Sequence, residues 1–205
     1  MSDSIWPKIE GERVALADYL QTLAPSDWDH PSLCDGWRVK DVVTHVVAGA
    51  KSTPGRFIVG MVGSGFNFDK MIAKDMNGEA DKTPAELVAE LRAVAARKTH
   101  PANAMLGEVL VHHEDIRRSL GAGPGQYPAD DLQTVAEYYK KAGAPLRVKG
   151  RIAGLQLEAT DVAWSTGDGP AVKGPAISLL LAMTGRRAGL ADLTGPGVAE
   201  LDTRL

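Results

Sequence analysis

Within GEVLVHHEDIRRSLG at 107–121, Glu108 and His112 stand four residues apart, a spacing that turns two side chains onto one face of a helix. A carboxylate and an imidazole so placed can grip a single cation. Leu106, Val109, Ile116 and Leu120 surround them with an apolar pattern, which turns this face toward other helices, where a buried carboxylate needs a partner. Taken alone, the pair reads more readily as a hydrogen bond or ion pair on a solvated face. His45, at the edge of a valine stripe in VVTHVVAG, is the third donor that another helix can supply. By itself it reads more readily as a satisfied core histidine. In combination, two imidazoles and one carboxylate from facing helices make a three-ligand site for zinc or a related divalent ion, with a fourth position open to water or substrate. Such a set accepts several first-row metals, so the donors do not select among them.

For these side chains to meet, the segments around His45 and His112 must both be helical. Val39, Val42, Val43, Val46 and Val47 recur three to four apart, which predicts a helix despite their β-branching. Residues 5–24 form a preceding helix that Pro25 ends, and the glycines at 55, 60, 63, 65 and 78 predict a broken helical excursion over 55–80. Thr83, Pro84 and Glu86 mark a helix start, with a capping hydroxyl, a proline at the first position and a carboxylate able to reach back. That helix runs to about Arg97, and Pro101 separates it from the helix ending near Gly121. A further helix is expected from Ala129 to Ala142. After Pro145 the texture changes: Val148, Ile152, Leu155, Leu157 and Val162 to Trp164 suggest short strands, with TGDGP at 166–170 as a turn, then helical segments over 174–184 and in GVAELDTRL. The expectation is a mainly α protein, with a helical bundle over 1–144 and a small α+β domain over 145–205.

The chain has 205 residues, 44% hydrophobic and 24% charged, a composition that folds rather than staying disordered. Its net charge of −3 offers no basic field for phosphates, so nucleic acid is not an expected partner. Cys34 is the single cysteine, so no intrachain disulfide can form. No basic segment followed by an apolar run opens the sequence, and ISLLLAM at 177–183 is too short to cross a bilayer, so a cytoplasmic protein without membrane contact is expected, a monomer by default.

Two blocks, LCDGWRVKDVVTHVVAG at 33–49 and GEVLVHHEDIRRSLG, resemble the mycothiol-dependent maleylpyruvate isomerase family, whose amino-terminal part is similar to the DinB-like four-helix bundles. LLLAMTGRRAGLADLTGPGVAEL is similar to the tail of many members, while residues 51–104 carry no motif of the family. The resemblance implies that His45, Glu108 and His112 hold the metal. His113 lies about 100° around the helix from His112, and the four-residue spacing favours His112. Asp115 matches the family's downstream acidic position, where a hydrogen bond to a ligand is reasonable and a capping or solvent role equally open. Arg186 matches the arginine after the family's glycine, which implies a clamp on a substrate carboxylate; a solvated helix end is the other reading.

The implied activity is that of an isomerase or S-transferase using mycothiol or another low-molecular-weight thiol on a small electrophile, maleylpyruvate being one specific case. The metal-acidified thiolate adds to an activated double bond, rotation follows about what is now a single bond, and elimination gives the trans product. Cys34 lies in a packed loop beside Trp37 and reads as structural, so the attacking sulfur is better supplied by a cofactor. A metal-containing binding or stress-response protein without turnover is the alternative, and a metal-free bundle with structural histidines is a second. The glycine-rich pieces VGSGFNF, GAGPGQ and TGPGVAEL lack the setting of nucleotide loops and read as turns, and Trp6, Trp28, Trp37 and Trp164 as core or pocket walls.

Overall fold

In the computed structural model, which describes residues 5–99 and 101–205, the chain divides into two units between Gly121 and Ala122. The first contains α1 (Trp6–Leu20), α2 (Val39–Lys51), α3 (Pro54–Gly63), α4 (Phe68–Asn77), α5 (Pro84–Val94) and α6 (Ala102–Ser119). Helical spacing dictates which faces meet: Ile9, Leu16 and Leu20 of α1, the valine stripe of α2, Leu87 and Leu91 of α5, and Leu106, Leu110 and Ile116 of α6 are all buried. Each of α1 and α2 packs against both α5 and α6, which makes a four-helix bundle. The expected excursion consists of α3 and α4, broken where Gly65 and Phe66 take left-handed φ angles of 65° and 60°.

The predicted start of α5 forms as a reciprocal cap. Glu86 N–H donates to Thr83 Oγ1 at 3.3 Å, and Thr83 N–H donates to Glu86 Oε2 at 2.7 Å. No helix of the described residues is long and apolar enough to cross a membrane.

The second unit contains α7 (Ala129–Tyr139), α8 (Val148–Ile152), β1 (Gln156–Ala159), β2 (Ser165–Thr166), β3 (Ala171–Gly174), α9 (Ala176–Met183) and α10 (Val198–Asp202). β1 lies between its neighbours, antiparallel to β2 and parallel to β3, with Leu157 opposite both Thr166 and Val172. The fold is thus mainly α with a small α+β part at the carboxy end, as the sequence predicts. Helix α7 packs against α9, which is buried along its whole length, so the change of texture at Pro145 falls inside this unit.

Two local expectations are corrected. Val148 and Ile152 belong to helix α8, not to a strand, because their four-residue spacing suits one helical face, and the period-two alternation begins only at Leu155 and Leu157. Val162 to Trp164 form an irregular approach to β2, while Ala171–Gly174, not anticipated, supplies the third strand. The expected turn after β2 requires glycine at 167, where φ is 78° and a Cβ would lie 2.1 Å from the Leu155 carbonyl oxygen.

A closed ring of charges fastens the end of α2 to α5. Lys51 Nζ lies 2.8 Å from Glu79 and 2.6 Å from Glu90, and Lys82 Nζ lies 2.8 Å and 2.7 Å from the same two carboxylates. Hydrogen bonds from Lys51 and then Lys82 pull the Glu90 carboxyl down to about 2 from its ordinary 4.5. A depressed acid stabilises the fold fully above its unfolded value and loses that contribution as pH falls toward its folded one. Glu90→Gln should therefore cost less than ~1 kcal/mol at pH 7, given the partial exposure of the ring. Urea unfolding at pH 7 and 3.5 should show the gap narrowing at the lower pH; a pH-independent gap would deny the ion pairs any part in it.

Candidate metal centre

The loop before α2 is a tight reversal that sets the position of two side chains. Ser32 N–H donates to the Trp37 carbonyl at 2.8 Å, Trp37 N–H donates to that of Cys34 at 3.0 Å, and Gly36 takes a φ of 75°. Leu33 N–H then donates to the Asp115 carbonyl of α6 at 3.3 Å, which pins the loop across the bundle. The Trp37 ring lies 5.2 Å from that of His45 on α2.

Helices α2 and α6 bring the three residues singled out by spacing to one place. His45 Nε2 lies 3.7 Å from Glu108 Oε1, and the His45 and His112 rings sit edge to face with centroids 5.0 Å apart. Their side chains are 15%, 25% and 12% exposed for His45, Glu108 and His112, so the cluster is largely dry yet still reached by solvent. The two adjacent histidines face different neighbours. His113 turns the other way, its ring 5.4 Å from Tyr19 of α1, and burial, then repulsion from Arg117, pushes its pKa down to about 4.

Glu108 is held in an unusual way. No described side chain or backbone amide donates a hydrogen bond to it. Burial raises its pKa, against the opposing positive charges of His112 and Arg13. Room for it comes from Gly49 on α2, where an added Cβ would lie 2.7 Å from Glu108 Oε1. Arg13, buried, donates through Nη1 to the carbonyls of Ala95 at 3.1 Å and Arg97 at 2.9 Å just past the end of α5, so it serves as a helix-end partner as well.

His112 has a second side of its own. Its Nδ1 lies 2.8 Å from Asp115 Oδ2 and 3.8 Å from Cys34 Sγ, and the Cys34 thiol donates to the same Asp115 oxygen at 3.1 Å. Burial would lower the pKa of His112, but the hydrogen bonds to Asp115 and Cys34 prevail and carry it up to about 9. Among the described residues, Cys34, His112 and Asp115 form the group whose ligand atoms all lie within 4.8 Å of one another; His45, Glu108 and His112 are less closely gathered. That trio is joined by its own hydrogen bonds, whereas Glu108 receives none from the described residues and faces His45 Nε2 at 3.7 Å. Two imidazoles and a carboxylate are donor types that a divalent cation accepts, and Asp115 engages His112 on its Nδ1 side.

Asp115, singled out through its match to the family's downstream acidic position, lies with Oδ2 2.8 Å from His112 Nδ1. The Cys34 contact, 81 positions away along the chain, carries no local signal, nor does the charge of Arg13. Arg186 lies in the second unit, between α9 and a 3₁₀ turn over Arg187–Asp192, and its Nη1 donates to the Thr184 carbonyl at 3.0 Å.

The family described as the mycothiol maleylpyruvate isomerase N-terminal domain matches residues 9–105, a span that includes His45 and stops three residues short of Glu108. Two solved structures share the fold: a mycothiol-dependent maleylpyruvate isomerase and a histidine-to-alanine mutant of it. Each aligns with a TM-score of 0.67 at 15% identity, covering 96% of this chain and 93% of the other. No curated protein matches the sequence.

The cradle at Gly49 makes a test in which stability and metal binding move in opposite directions. In Gly49→Ala the new methyl group displaces only the tip of a flexible carboxylate, and the helix gains up to ~1 kcal/mol of propensity. Thermal melts of the metal-free protein should show unchanged or raised stability, while competition with a chromogenic chelator shows zinc affinity lowered at least ~10-fold, the scale typical of disturbed ligand support. Unaltered zinc affinity would remove Glu108 from the site.

Proposed function

We propose that this chain, whose residues 9–105 belong to the mycothiol maleylpyruvate isomerase N-terminal domain family, is a divalent-metal-dependent isomerase or S-transferase that uses mycothiol or a similar low-molecular-weight thiol. Its substrate on this reading is a small electrophile bearing a carboxylate, maleylpyruvate among the candidates. The observation that carries the proposal is the convergence of His45, Glu108 and His112, with a carboxylate that receives no hydrogen bond from the described residues.

In this reading His45 and His112 are neutral nitrogen ligands, and Glu108 supplies the one negative charge among the three. Bound there, zinc or a similar ion would act as a Lewis acid that lowers the pKa of a coordinating thiol. Asp115 keeps the proton on His112 Nδ1, so the opposite nitrogen stays available as a ligand. Cys34 is tied to Asp115 through its own S–H, which suits a positioning contact rather than a nucleophile and leaves the reacting sulfur to the cofactor. The low exposure of all three ligands favours the chemistry, because a dry site strengthens every charge interaction in it. Arg186 is proposed as the group that grips the substrate carboxylate through its planar fork.

Elemental analysis of protein purified without chelators or a metal-affinity tag tests the core of this reading. Wild type should carry near-stoichiometric metal and convert maleylpyruvate only with mycothiol present; His112→Ala should lose both properties. A wild type that holds no metal even after reconstitution would sink the proposal. Arg186→Ala should retain its metal while kcat/KM falls about 10- to 100-fold, the loss expected of one charged hydrogen-bonding group. Unchanged kinetics would remove this arginine from the site.

A further inference from the structure

The loop before α2 and the helix α6 bring sulfur, oxygen and nitrogen donors together on the Nδ1 side of His112. Cys34 Sγ lies 3.1 Å from Asp115 Oδ2, that oxygen lies 2.8 Å from His112 Nδ1, and Cys34 Sγ lies 3.8 Å from the same nitrogen. A tetrahedral zinc ion, with bonds of about 2.0–2.3 Å to such atoms, spaces them about 3.4–3.6 Å apart. The observed edges depart from that coordination face by about 0.6 Å at most, a change that small side-chain rotations supply. The sulfur is held in advance. Cys34 N–H donates to Ser32 Oγ at 3.1 Å, and the Ser32 hydroxyl donates to the Trp37 carbonyl at 2.9 Å, so the turn that closes the loop also fixes the backbone at Cys34.

Charge and donor softness then say what this trio would hold. A thiolate and a carboxylate together neutralise a divalent ion, whereas His45, Glu108 and His112 leave it with one positive charge. Asp115 is fully buried, and a neutral assembly is the less costly one to keep out of water. Thiolate is a soft donor, which favours ions such as cadmium and zinc over magnesium or calcium. Cys34 is partly exposed, which gives an ion a way in.

We infer that Cys34, Asp115 and Nδ1 of His112 form a binding site for a thiophilic divalent cation, which competes with the centre of His45, Glu108 and His112 for their shared imidazole. A neutral imidazole carries a ligand lone pair on one nitrogen only. With its proton on Nδ1, His112 donates to Asp115 and leaves Nε2 as the ligand; with the proton on Nε2, Nδ1 turns ligand to an ion beside Cys34. On binding there, the Cys34 S–H bond breaks, the sulfur keeps the electron pair for the metal, and the proton passes to solvent. A soft ion on the sulfur side thereby takes His112 away from His45 and Glu108. The site rests on its own three donors, and only the competition rests on the metal-dependent reading above.

Cys34 is the single cysteine, so a sulfur-to-metal charge-transfer band assigns a bound ion to this place. Metal-free full-length protein titrated with cadmium should develop that ultraviolet band and saturate at one ion per chain. Cys34→Ser should lose the band, and Asp115→Asn should bind cadmium at least ~10-fold more weakly, the scale of disturbed ligand support. His45→Ala, outside the trio, should keep the band and the wild-type Kd. Zinc-loaded protein should release its zinc as the cadmium band grows. A wild type without the band, or a band lost in His45→Ala, overturns the site. A band that grows while zinc stays bound overturns the competition. A protein that retains no zinc yet shows the band, and loses it in Cys34→Ser, sustains the site and sinks the metal-dependent reading.

Discussion

Placing a carboxylate inside a helical bundle is costly, and the first unit is arranged around how Glu108 is accommodated. A buried carboxylate needs an opposite charge, hydrogen-bond donors or a cation. No described residue donates a hydrogen bond to it; the bundle offers the buried positive charge of Arg13, the imidazoles of His45 and His112, and space at Gly49. Other features follow from this requirement. Two helices must approach closely enough that an added Cβ at position 49 would press on the Glu108 carboxylate, and α1 must carry an arginine whose hydrogen bonds lie beyond the end of α5. The charge ring at Lys51, two residues beyond Gly49, then holds that end of α2 against α5.

Much of this arrangement could be read from the chain itself, and the reasons are local. Glu108 and His112 share a helical face because four residues make slightly more than one turn, and His45 declared itself by its place at the edge of an apolar stripe. The reciprocal cap at Thr83 and Glu86 is likewise a matter of three residues' separation. These features depend on geometry that adjacent residues determine on their own.

What escaped sequence reading depends on long-range contact. Cys34 reads as structural in a packed loop, but its partner Asp115 is set only when the loop is folded back against α6, and Arg13 gains its role only when its helix is docked. Helix α7 is correctly helical by pattern, but which partner its apolar face chooses, α9, is settled by packing. The error over Val148 and Ile152 had a different origin. Their β-branched types pointed to strand while their spacing pointed to helix, and in so short a segment the spacing prevailed.

The Leu33 amide and the Cys34 thiol both terminate on Asp115, one at its backbone and one at its carboxylate, and the same carboxylate holds His112. The loop's conformational freedom and the imidazole's rotational freedom are consequently given up together, when the chain folds. A ligand arriving afterwards meets an imidazole whose ordering entropy has already been lost, so affinity at this centre is set largely during folding. Loosening that loop anywhere along its five or so residues would weaken the site without altering a single donor atom.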